Sequence, residues 1–171
     1  MTKALSGFDL AKAIDAAFPG AVLEAVPEWT EVKPDQIVEL CSSLRDDPDI
    51  DFKYLVSLTG VDCLDHFEVV YHLQSLRLNQ LGVIKVRIKD RDNPEVASVA
   101  PVWPGAVLQE REAYDLLGIR FQGHPDLRRI FLWDGFPGHP LRKDWLNMPG
   151  QLMPGLHRFP GEPGEPDVGR G

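Results

Sequence analysis

Three segments in the middle of the chain limit its architecture more than any other feature. Phe52 to Gly60 reads as a first strand. His66 to Leu76 sets Phe67, Val69, Tyr71 and Leu73 on one side, and Leu81 to Lys89 sets Ile84, Val86 and Ile88 inward with Lys85, Arg87 and Lys89 outward. A period of two over such lengths belongs to strands that bury one face. Only Arg77-Leu78-Asn79-Gln80 separates the last two, so they form an antiparallel hairpin, since parallel strands need a crossover of a dozen residues or more.

Helical patterns flank this core. Ser6-x-x-Asp9 opens a helix expected from Phe8 to Phe18, with Leu10, Ile14, Ala17 and Phe18 on one face and Pro19-Gly20 as its stop. Ala21 to Val26 and Trp29 to Lys33 read as short strands. A second helix after Pro34 carries Ile37, Leu40, Cys41 and Leu44 at i, i+3, i+4 and i+7, and ends at Asp46-Asp47-Pro48-Asp49. Asp92-Asn93-Pro94 predicts a brief helix over Glu95 to Ala100. A longer helix is expected from Ala106 to Leu117, closed by Gly118. The fold class is therefore α+β: a small, mostly antiparallel sheet packed with helices, followed by a long irregular C-terminal arm.

Periodicity stops at that glycine. Residues 119–171 hold eight prolines and nine glycines, yet also Ile119, Phe121, Leu127, Ile130, Phe131, Trp133, Phe136, Leu141 and Trp145. Linkers seldom carry so many large apolar groups, and long irregular segments in compact proteins tend to be functional or disordered. The expected organisation is an α+β domain over 1–118, an extended docking arm over 119–145, and a Gly/Pro-rich, partly disordered tail over 146–171.

Charge narrows the function. Residues 1–109 hold ten Lys and Arg against seventeen Asp and Glu, while 110–145 hold six of each. The bases concentrate late but are balanced by acids, which argues against nucleic acid, where a net basic face is expected. The longest apolar stretch, Val96 to Leu108, contains Ser98, Pro101 and Pro104 and falls short of the roughly 20 residues a membrane span needs. A soluble, cytosolic chain is expected, attached to a membrane only indirectly. Cys41 and Cys63 lack C-x-x-C or His-linked spacing and read as buried free thiols.

The segment Gly123 to Trp145 repeats Gly-His-Pro at His124 and His139, each followed by a leucine and two bases, Arg128/Arg129 and Arg142/Lys143. No HExxH or i,i+4 histidine pair supports a metal there, and no glycine loop opening a helix supports a phosphate. Each histidine reads instead as a turn residue bonded locally. On the last long helix, Arg111 and Asp115 are spaced for an i,i+4 ion pair. Glu112 and Asp115 sit near the helix C-terminus, where acids are unfavourable. Arg120, Arg128 and Arg129 are the nearest cations that could compensate them if the arm folds back. The expectation is an acid-bearing helix end latched by arginines.

These residues resemble a known family. Glu110-Arg111-Glu112, Asp115-Leu116-Leu117, His124 and Arg128, with Trp103-Pro104-Gly105-Ala106, Gly118 to Ile130 and Gly138 to Asp144 around them, are similar to the signature of the C subunit (the thirty-kilodalton subunit) of proton-pumping NADH:quinone oxidoreductase, respiratory complex I. The similarity covers about residues 81–145. It implies a non-catalytic structural and assembly subunit of the peripheral arm, on the cytoplasmic face of the bacterial inner membrane. Its docking residues would be Glu110, Arg111, Glu112, Asp115, Arg120, His124, Arg128, Arg129, His139, Arg142 and Lys143. No catalytic, cofactor-binding or metal residue is implied in this chain. FMN, iron–sulfur clusters and quinone would belong to partner subunits, with the D subunit (49 kDa type) and the B subunit as neighbours. The alternatives are the equivalent subunit of a related membrane-bound hydrogenase or NADH-independent complex I-like enzyme, or a free-standing metal- or anion-dependent enzyme using His124 and His139.

Overall fold

The computed structural model describes residues 3–145; the tail expected over 146–171 lies outside the described residues. The chain runs β1 (Lys3–Ala4), α1 (Gly7–Ala17), β2 (Val22–Ala25), β3 (Thr30–Val32), a 3-10 turn (Pro34–Gln36), α2 (Ile37–Asp46), β4 (Tyr54–Asp62), β5 (Phe67–Ser75), β6 (Gln80–Ile88), β7 (Glu95–Ala97), α3 (Ala106–Leu117) and β8 (Arg120–Gln122). The fold is α+β with a mostly antiparallel sheet, as its alternation requires.

The hairpin sits at the centre. β5 pairs antiparallel with β6 from Phe67↔Ile88 to Ser75↔Gln80, and β4 pairs antiparallel with β5. Strand order is β2-β3-β6-β5-β4, with β1 also on β6. Both β1 and β3 run parallel to β6, a feature that short runs do not announce in sequence. The alternating residues Phe67, Val69, Tyr71, Leu73, Ile84, Val86 and Ile88 fall in one buried core with Leu10 and Ile14 of α1 and Ile37, Leu40, Cys41 and Leu44 of α2. Burying a side chain of that size contributes roughly 1.5–3 kcal/mol.

Helix ends follow local chemistry. Ser6 caps α1 through its hydroxyl, which accepts the Phe8 N–H at 3.2 Å. Gly118 closes α3 at φ 77°, in the left-handed region that glycine adopts without strain.

Two expectations give way. The brief helix over Glu95–Ala100 is instead strand β7, paired parallel with β8. A helix would have bonded the Val99 N–H within its own segment. Here the Glu110 carboxylate takes that N–H at 2.8 Å, and Val96 and Val99 are buried. Long-range hydrogen bonding and burial override the local proline signal. Residues 119–122 are likewise not an irregular start to an arm: Ile119 and Phe121 enter the core on either side of Arg120.

Candidate functional site

Helix α3 carries two fully buried carboxylates, Glu110 and Asp115. Five residues apart, they point about 140° away from each other around the helix. Each is fixed to a different piece of chain.

Glu110 holds the body side. It accepts the Ser98 hydroxyl at 2.6 Å and the Val99 N–H at 2.8 Å, with His124 Nε2 3.9 Å away. Burial raises its carboxyl above the ordinary value, while Ser98, Val99 and His124 pull against that rise. His124 itself is a turn residue. Its Nε2 lies 3.0 Å from the Val107 carbonyl and its Nδ1 accepts the Asp126 N–H at 2.9 Å, so both ring nitrogens are engaged locally.

Asp115 holds the arm. Arg129 donates to its Oδ1 at 2.9 Å, and the consecutive N–H groups of Ile130, Phe131 and Leu132 donate to Oδ2 at 3.0, 2.8 and 3.0 Å. Burial works to raise this carboxyl, but the three amides and the guanidinium outweigh it and hold it below its ordinary value. Arg129 also donates to the carbonyls of Phe136 and Gly138, each at 3.1 Å. The expected i,i+4 pair between Arg111 and Asp115 is absent, because Asp115 turns inward to the arm. Arg111 instead donates to the carbonyls of Arg128 and Arg129 at 3.0 and 2.9 Å.

The arm also completes the end of α3. Carbonyls of the last turn have no partner within a helix. That of Asp115 meets His139 Nδ1 at 2.9 Å, that of Leu116 accepts the Leu141 N–H at 3.0 Å, and that of Leu117 accepts Arg142 Nε at 2.7 Å. Burial, with Arg142 and Arg129 nearby, lowers the His139 pKa, so its ring serves as a neutral donor. A Cβ on Gly118 would stand 2.6 Å from His139 Cδ2, so the glycine admits the arm as well as ending the helix.

A third carboxylate, Asp62 at the end of β4, anchors the far end of the arm. Arg91 grips both its oxygens at 2.5 and 3.1 Å, and the Lys143 N–H donates to Oδ2 at 2.9 Å. The Arg91 guanidinium, helped by the Lys143 and Leu64 amides against burial, holds this carboxyl far below the usual carboxylate range. Arg91 and Arg142 both lie over the Phe67 ring, at 4.5 and 5.1 Å from its centroid.

The other sequence-derived candidates sit outside this lock. Arg120 pairs with Glu95 at 3.6 Å and Arg128 with Asp126 at 2.8 Å, both exposed. Glu112 is exposed and makes no ion pair among the described residues. Neither Arg120 nor Arg128 therefore compensates α3; Arg129 does. Sequence reasoning missed Asp62, Arg91 and Ser98, whose partners lie 81, 29 and 12 residues away. It also found no histidine linked to Cys63, whereas His66, three residues on, stands beside it.

With its polar groups turned inward, the arm presents apolar ones outward. Ile130, Phe131 and Leu141 are exposed to 37, 63 and 59%. Phe136 is buried against Trp133, with ring centroids 4.9 Å apart. Fold and site together define a compact α+β domain that displays a latched apolar arm. The chain belongs to the family described as "Respiratory-chain NADH dehydrogenase, 30 Kd subunit", whose model matches residues 30–150. It is 47% identical over 144 residues to the C subunit of the NADH-quinone oxidoreductase of Azorhizobium caulinodans, covering 80% of this chain and 67% of that protein. It is 42% identical to the corresponding C subunit of Roseiflexus sp. strain RS-1, over 82% of this chain and 84% of that one. Against the "C 2" form of the same subunit in Rhizobium meliloti, 49% identical over 67% of this chain, the alignment takes in 63% of the relative's length. Among solved structures, a chain of the membrane-bound sulfane sulfur reductase, an archaeal respiratory membrane complex, superposes with a TM-score of 0.67 at 25% identity, covering 83% of this chain and 86% of that one.

Proposed function

We propose that this chain is a non-catalytic structural and assembly subunit of the peripheral arm of an NADH:quinone oxidoreductase, which couples electron transfer from NADH to quinone with proton translocation. The observation that carries the reading is the arm between Arg128 and Trp145. Its backbone, Arg129 and Arg142 are held by Asp115, Asp62 and the end of α3, leaving Ile130, Phe131 and Leu141 as an apolar surface. Such a surface fits a protein partner. The D subunit (49 kDa type) is the neighbour we assign to it, with the B subunit beyond. FMN, iron–sulfur clusters and quinone are assigned to partner subunits. No helix among the described residues is long and apolar enough to cross a membrane, so attachment to the cytoplasmic face of the membrane is assigned to the complex.

The likeness to a chain of the sulfane sulfur reductase supports a second reading, in which the same subunit serves a related membrane-bound complex with a different electron donor. Identities of 42–49% to C subunits of NADH-quinone oxidoreductases favour the first. One experiment tests both. A tagged Phe131→Ser/Leu141→Ser variant should fold with an unchanged thermal midpoint, recover fewer companion subunits, and leave NADH–quinone turnover per assembled complex unaltered. Full assembly by the variant would defeat the docking role, and companions lacking an NADH-binding flavoprotein would favour the second reading.

A further inference from the structure

Away from the arm's latch, the turn joining β4 to β5 gathers three ligand types. Cys63 Sγ, a His66 ring nitrogen and a Glu68 carboxylate oxygen lie within 4.8 Å of one another, all partly buried. The turn itself brings them together. The Cys63 N–H donates to the His66 carbonyl at 2.9 Å, which sets the two residues opposite each other. Glu68, the second residue of β5, follows His66 by two, and their side chains meet at 3.5 Å.

The imidazole raises a question of charge. His66 Nδ1 lies 2.8 Å from Asp65 Oδ1, which puts a proton on Nδ1. In a neutral ring Nε2 is then an acceptor, yet it stands 3.5 Å from Glu68 Oε1, another acceptor. Lys85 Nζ neutralises the other oxygen, Oε2, at 3.1 Å and leaves Oε1 facing the ring. Two acceptors face each other unless a second proton or a cation lies between them.

We infer that Cys63, His66 and Glu68 form a binding site for a zinc-class divalent cation. A thiolate, an imidazole and a carboxylate suit zinc or cobalt over magnesium or calcium, which prefer oxygen alone. Bonds of about 2.0–2.3 Å in a tetrahedron set ligand atoms roughly 3.3–3.8 Å apart. The Nε2–Oε1 separation of 3.5 Å already meets that spacing, and Cys63 Sγ stands within 4.8 Å of a His66 ring nitrogen and a Glu68 carboxylate oxygen. Asp65 behind Nδ1 supplies the carboxylate that orients a ligating histidine. The fourth position falls to water. Binding expels the thiol proton of Cys63 to solvent as the sulfur–metal bond forms. The cation ties the start of β5 to the end of β4, one residue beyond Asp62 and its hold on the arm.

The test is a titration of the full chain, stripped with a chelator, first with Co²⁺ and then with Zn²⁺. One equivalent of cobalt should give a thiolate-to-cobalt charge-transfer band and tetrahedral ligand-field bands, both removed by zinc. Cys63→Ser should abolish the charge-transfer band, and His66→Gln and Asp65→Asn should weaken binding by about 10–100-fold at an unchanged metal-free thermal midpoint. A titration with no thiolate band, or one indifferent to Cys63→Ser and His66→Gln, overturns the site. So do nitrogen shifts showing both His66 ring nitrogens protonated with zinc present, since the ring would then be an imidazolium bridging Asp65 and Glu68.

Discussion

Asp115 and Arg129 meet at 2.9 Å through one carboxylate oxygen, while the other oxygen collects the next three amides of the arm. A single buried side chain on α3 thus fixes both the side chain and the main chain of a segment about fifteen residues downstream. Removing its charge strands a guanidinium that is only 19% exposed. Asp115→Asn should destabilise the chain by about 3 kcal/mol or more, read as the shift in urea midpoint. Limited proteolysis should open new cleavage sites between residues 128 and 145; a variant as resistant there as the parent would show that the arm is held elsewhere.

The pH response has a definite sign. Asp62 and Asp115 have folded carboxyl pKa values below their unfolded ones, so their stabilisation is present above about pH 4 and is lost as pH falls through the folded values. Glu110 is shifted the other way, so its contribution is present below about pH 4 and lost as pH rises through its folded value. Unfolding free energies measured across the acid range should fall steeply for the parent chain and less steeply for Asp62→Asn. Parallel curves would remove Asp62 from the account.

Gly118 and Gly20 separate two effects. Both have positive φ, 77° and 75°, but a Cβ at Gly20 meets nothing within 4 Å, whereas one at Gly118 meets His139 and Arg142. Gly20→Ala should cost about 1–2 kcal/mol for its backbone conformation alone. Gly118→Ala should cost more, because the arm must move aside. Equal losses in thermal unfolding would mean that His139 and Arg142 yield freely.

Arg111 serves two carbonyls with one planar group. Lysine offers a point charge and no fork, so Arg111→Lys should lose about one hydrogen bond, roughly 1 kcal/mol. Faster exchange of the Ile130, Phe131 and Leu132 amides would localise the change, and unchanged exchange there would assign it elsewhere.

The elements that could be read from sequence were those whose partners lie within one turn or one hairpin. α3 spans Ala106–Leu117 and closes at Gly118, and β5–β6 pairs as its alternation requires. What escaped was decided by distant chain. Glu95–Ala97 became a strand because residues 120–122 pair with it and Glu110 takes the Val99 amide. An arginine latch on Asp115 was legible as a helix-terminus charge problem, but which arginine solves it was not, since Arg120, Arg128 and Arg129 differ only in where the arm turns. Asp62 and Arg91 carried no local sign at all.

The three carbonyls at the end of α3 that accept from His139, Leu141 and Arg142 bear on how fast the chain can be recruited. Residues ordered within their own chain have already lost their conformational freedom, and ordering a flexible backbone costs about 1–2 kcal/mol per residue. A partner that meets Ile130, Phe131 and Leu141 therefore binds without inducing that order. Its encounter should proceed as a single bimolecular step, with no slow phase in which a loose segment searches for its place.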